Sequence, residues 1–169
     1  MSDQDIDIQA QLAAVDRGLE LGGRYQVEGN AGGTITACTP GQHFAATWEF
    51  GGQSSDIEVT VAPDGDGARF TLVHTAVGEG YEAPDSFWNT YGPGATGVGW
   101  ELGFLGLFQY LSTGTSMPAE ASEWGTSAAA KEFITGSSVA WGDAGIAAGM
   151  DEQQARAAQD RTTAFYTGG

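Results

Sequence analysis

Between Gly92 and Leu111 the chain reads G-P-G-A-T-G-V-G-W-E-L-G-F-L-G-L-F-Q-Y-L, twenty residues with a single charge, directly behind stretches that alternate like hairpin strands. A helix that is apolar nearly all round has to be buried, in lipid or in protein. Lipid fits poorly: the apolar core from Val98 to Leu111 is shorter than a span, carries Glu101 and Gln109, and has no Lys or Arg beside it as an anchor. The cover must therefore be protein, and the preceding residues can supply it.

Gly22-Gly23 opens a strand from Arg24 to Glu28, which the run Gly29 to Gly33 turns into a partner strand from Thr34 to Cys38. Phe44, Ala46, Trp48 and Phe50 then alternate with polar or small residues, and Gly51 to Ser55 reverses the chain. Ile57, Val59 and Val61 alternate with Asp56, Glu58 and Thr60, the run Pro63 to Gly67 makes another hairpin, and Phe70, Leu72, His74 and Ala76 form the inward set of a last strand. His43 falls before a strand and reads as a loop residue. The pattern predicts an antiparallel meander of at least five strands with one apolar face, curled around the apolar helix.

The expected class is thus α+β. An N-terminal helix occupies about 1–20 and the core spans 21–113, with its sheet over about 22–77 and its long helix over about 95–112. A helical extension fills 114–169, in pieces at Ser127 to Thr135, Ser138 to Gly149 and Asp151 to Phe165, the last capped by Asp151.

A net charge of −16, with six basic residues and no basic cluster, makes nucleic acid and anionic membrane surfaces poor partners. Cys38 is the single cysteine and there are two histidines, which gives neither an intramolecular disulfide nor metal-ligand spacing. No metal or cofactor is expected. The acidic N-terminus lacks the basic and apolar regions of a secretion signal, so a cytoplasmic location is the default expectation.

Several separated motifs agree in order with one family. The runs L-G-G-R-Y-Q-V-E-G-N-A-G-G-T-I, T-W-E-F, L-V-H-T-A, G-P-G-A-T-G-V-G-W-E-L, G-S-S-V-A-W-G-D-A-G-I-A-A-G and D-R-T-T-A-F-Y-T-G resemble actinobacterial members of the SRPBCC (START-like) superfamily. The branch they look like is that of homologues of the activator of heat-shock protein 90 ATPase. The resemblance covers Leu21 to Gly169 and implies a helix-grip fold, a curved antiparallel sheet wrapped around a long helix, with a ligand cavity between them. The residues A-Q-L-A-A-V-D-R-G within Ile6 to Glu20 look like the subgroup's leading helix, yet the family's first strand and helix pair are missing between Glu20 and Leu21. That departure would expose a sheet edge, and self-association through it is expected.

The candidate cavity residues are Tyr25, Trp48, Phe70, His74, Trp100, Glu101, Phe104 and Phe108. An aromatic set of this kind is ordinary core more often than pocket lining, and in this fold the two overlap. His74 lies on the apolar face, where a neutral, hydrogen-bonded imidazole is tolerated, and Glu101 is the only carboxylate of the apolar helix, either an interior anchor or a solvent-facing side chain. Asp64 and Asp66 lack the further ligands of a calcium loop and read as a turn. Ser54, Ser55, Ser137 and Ser138 lack a G-x-S-x-G elbow, and Gly29 to Gly33 lacks the Lys of a phosphate loop. The function expected is non-catalytic binding of a small apolar or amphipathic molecule. The alternative is a protein-interaction or co-chaperone-like role, followed by a cyclase-type enzyme using His74 and Glu101.

Overall fold

The computed structural model describes residues 20–76, 83, 86–115 and 124–169, and the N-terminal helix expected over about 1–20 lies outside them except for Glu20. The chain divides into two compact units, Met1–Gly80 holding the strands and Tyr81–Gly169 holding the helices.

Among the described residues five strands, β1 (Arg24–Gln26), β2 (Gly32–Thr39), β3 (His43–Phe50), β4 (Gln53–Asp64) and β5 (Gly67–Thr75), form one antiparallel sheet in sequence order. β4 shows why the alternation works: Ser55, Ile57 and Val59 are buried and each residue between them is exposed. Ile35 of β2 and Ala46 of β3 join them, because Ala46 lies opposite both Ile35 and Ile57. A bulge between Ile35 and Ala37 resets the register, so that Cys38 faces Phe44.

The turns are tighter than the sequence suggests. β1 stops at Gln26, short of Glu28, since the Val27 amide closes onto the Ala31 carbonyl at 2.8 Å and β2 already begins at Gly32. Gly51 and Gly52, with φ of +59° and +80°, make the whole turn between β3 and β4, a two-residue geometry that needs positive φ at both positions. Ser54 and Ser55 therefore belong to β4 and not to the turn. Asp64 is paired with Gly67, leaving Gly65 and Asp66 as the last hairpin's turn, and Asp64 accepts from Arg69 at 2.6 Å. His43 is not a loop residue: it opens β3 opposite Thr60, with Nε2 2.9 Å from Glu58 Oε1.

Among its described residues the second unit has four helices: α1 (Phe87–Tyr91), α2 (Gly94–Thr113), α3 (Ala128–Ala147) and α4 (Glu152–Thr167). Ser86, Ser127 and Asp151 cap α1, α3 and α4 by accepting the amides of Asn89, Ala130 and Gln154. The short α1 has no counterpart in the sequence reading. The expected pieces at Ser127 to Thr135 and Ser138 to Gly149 are one continuous helix, because α3 packs on both α2 and α4 and that packing outweighs the weak propensity of Gly136-Ser137-Ser138.

The α2 helix fulfils the burial expectation along its first half only. Gly94, Ala95, Gly97 and Val98 are buried, Tyr166 of α4 donates its hydroxyl to the Ala95 carbonyl at 2.7 Å, and Phe108 and Leu111 near the other end are 68% and 75% exposed. Among the described residues no helix is long and apolar enough to cross a membrane.

Candidate functional site

On the sheet, period two and register bring three of the expected residues together. Trp48 lies opposite Ser55, and His74 lies opposite Ile57, which places Ser55 and His74 on one face as diagonal neighbours. The Tyr25 and Trp48 rings are 6.4 Å apart and the Trp48 and His74 rings 5.8 Å apart, the second pair edge to face. Tyr25 donates its hydroxyl to the Thr47 carbonyl at 2.6 Å, and burial raises its pKa, with the Glu49 charge adding to the effect. Glu49 itself is held below the usual carboxylate range, first by the Thr47 hydroxyl and then by Arg24.

Ser55 Oγ sits 2.7 Å from His74 Nε2 and 3.3 Å from the Trp48 carbonyl oxygen. The arrangement that satisfies all three groups has His74 donating from Nε2 to Ser55, which donates its own proton to Trp48. Burial pushes the His74 pKa below its ordinary value, against the opposing pull of Asp56, so the imidazole is neutral at pH 7. Phe70 shares β5 with His74 but lies four residues away, opposite Val61, and is 43% exposed.

The helical candidates separate by direction. Trp100 and Phe104, one turn apart on α2, stack with centroids 6.4 Å apart, and Phe108 continues their row at an exposed position. Glu101 points elsewhere: its Oε1 accepts from Trp141 Nε1 of α3 at 3.1 Å. Gly97, one turn before Glu101, makes this possible, since a Cβ there would lie inside the Trp141 indole. His74 and Glu101 thus each have a hydrogen-bond partner within their own unit. Beside Trp141, α2 and α3 enclose an open groove of about 510 Å³ lined by Glu101, Glu132, Phe133, Ser137 and their neighbours.

Two residues escaped the sequence reading as partners of the site. Ser55 continues the inward series of Ile57 and Val59, a signal that was legible but hidden by assigning it to a turn. Trp141 carried no signal, because its meeting with Glu101 joins two helices across forty residues.

Chemically, the sheet face offers apolar rings with one neutral polar group. Ser55 and His74 have the spacing of a nucleophile and its base, yet Ser55 is buried and also bonded to the backbone of Trp48, which suits a fixed anchor better than a reacting hydroxyl. Among the described residues no group of three or more His, Cys, Asp or Glu is placed to hold a metal ion.

No protein-family model matches the chain, and no curated protein is significantly similar to it. Solved structures do match. The crystal structure of CalU16 from Micromonospora echinospora is 21% identical, with a TM-score of 0.51 over 75% of this chain and 70% of CalU16. The solution structure of the same protein gives 24% identity and a TM-score of 0.54 over 72% and 64%. The chain therefore spans about two thirds of CalU16's length, and the likeness is one of fold: an α+β chain with an antiparallel sheet followed by C-terminal helices, resembling the helix-grip fold of CalU16.

Proposed function

We propose that this chain is a non-catalytic binding module of the SRPBCC, START-like kind, taking a small hydrophobic or amphipathic molecule on the apolar face of its sheet. The observation that carries this reading is the continuous row of Tyr25, Trp48 and His74 rings, in which the imidazole is neutral and already anchored to Ser55. Such a surface rewards apolar contact. Covering ~200 Å² of it contributes roughly 5 kcal/mol, before the costs of association, at about 25 cal/mol per Å². The imidazole would fix the orientation of a polar end. The family resemblance of the sequence and the fold likeness to CalU16 support the reading without naming a ligand.

A second reading, protein interaction, is favoured by the exposed end of α2, where Leu107, Phe108, Tyr110 and Leu111 are all exposed. One experiment separates the two. Titration with the neutral dye N-phenyl-1-naphthylamine should give saturable fluorescence that weakens about tenfold or more in Trp48→Leu, while native mass spectrometry shows a monomer. Unchanged dye binding in Trp48→Leu would remove the sheet face from the site. A dimer or larger assembly with no dye binding would favour the interaction reading, self-association through a sheet edge included.

A further inference from the structure

The two edges of the sheet are built differently. β1 is an edge of three residues, whereas β5 runs for nine and keeps an unbroken register with β4, from Asp56↔Thr75 to Asp64↔Gly67. Among the described residues no strand lies on the outer side of β5. Along it every residue but Leu72 and His74 is exposed, Val73 to 50%. Sheet edges are commonly blunted by proline, lysine, a bulge or shortness. β5 has none of these, and its single charge, Arg69, is tied to Asp64 across the hairpin at 2.6 Å.

The hairpin fixes which backbone groups point outward. Gly65 and Asp66 form a two-residue turn, so Asp64 and Gly67 flank it as a hydrogen-bonded pair, and bonded pairs recur at every second residue. Val61 gives the same phase, since its amide donates to the Gln42 carbonyl at 2.7 Å, away from β5. Thr71, Val73 and Thr75 therefore turn their amides and carbonyls toward β4, while Ala68 and Leu72 turn theirs toward the outer edge. An extended chain laid along that edge meets a row of donors and acceptors already in place.

Charge and side-chain size decide what that chain is. On the exposed face Glu58 stands opposite Val73, and Asp56 opposite Thr75. Both β5 side chains are short, so a lysine or arginine on an added strand, about 5 Å farther out, reaches over them to the carboxylates. Asp56 takes part in none of the ion pairs of the described residues, and Glu58 has one oxygen on His43. On the opposite face the added strand meets Leu72 and the Phe70 ring, which is 43% exposed. A second copy of β5 fits less well: it offers these carboxylates only Arg69, already tied to Asp64, and brings a second net charge of −16 to the seam.

We propose that the outer edge of β5 docks an extended basic segment of a partner protein, in which lysine or arginine alternates with valine, isoleucine or leucine. The segment adds antiparallel to β5, its basic side chains passing over Val73 and Thr75 and its apolar ones lying against Leu72. The site uses the rim of the sheet and not its ring face, so it stands apart from the small-molecule reading.

The probe is the peptide acetyl-K-V-K-V-K-V-K-amide, titrated into isotope-labelled protein and followed by nuclear magnetic resonance. The amides of Ala68 and Leu72 should shift saturably and exchange with deuterium about tenfold more slowly or better, while those of Thr71 and Val73, already bonded to β4, change little. N-methylation at the valines removes the donors aimed at β5 and keeps the charge; it should weaken binding about tenfold or more. The exposed double substitution Asp56→Asn with Glu58→Gln should weaken it about three- to tenfold. Equal affinity for the N-methylated peptide, unchanged binding in the double variant, or no saturable shift up to about 5 mM would each overturn the proposal. Slowed exchange at Ala68 and Leu72 in concentrated protein without peptide, together with a dimer mass, would overturn it in favour of a second copy.

Discussion

His74 couples the packing of the sheet face to pH. Its imidazole is held below the ordinary histidine pKa by burial, with Asp56 opposing, and its Nε2 is bonded to Ser55. As pH falls through about 6.5, the unfolded chain takes up a proton that the folded chain still refuses, so protonation favours unfolding. The contribution of the neutral imidazole is thus full above that pH and is lost as pH falls toward the lower folded-state value. Urea midpoints measured between about pH 7.5 and about pH 5.5 should fall more in the wild type than in His74→Gln, which does not titrate. Parallel profiles for the two proteins would mean that His74 is not held neutral by the fold.

Among the elements, α2 is where glycines have opposite meanings. Gly97→Ala drives a methyl into the Trp141 ring and should destabilise by about 1–3 kcal/mol, whereas Gly103→Ala meets nothing within 4 Å and should stabilise by about 0.5–1 kcal/mol. Thermal melts of the two variants check the signs, and two shifts in the same direction would contradict the packing described. The sequence distinguished neither glycine from the other, since close approach depends on a residue of another helix. It did reveal the strands, because alternation in β3, β4 and β5 is a local pattern and their turns carry glycine. It revealed the Tyr25, Trp48 and His74 face for the same reason. The continuity of α3 and the direction of Glu101 stayed hidden, as both are decided by tertiary packing across α2, α3 and α4.

For the whole molecule, charge is the dominant variable. Net charge −16 opposes compaction, while the three arginine ion pairs of the described residues, Arg24–Glu49, Arg69–Asp64 and Arg156–Asp143, are exposed and weakened by solvent. Screening therefore removes more repulsion than attraction. The melting temperature should rise as sodium chloride increases from about 0.05 M to about 0.5 M, and a fall in scanning calorimetry would show that specific pairs outweigh the net field. The order of the sheet, in which each strand pairs only with its sequence neighbours, has a kinetic consequence. No strand waits for a distant partner, so the loop-closure entropy of each pairing is small and the meander can zip outward from the two-glycine turn at Gly51-Gly52.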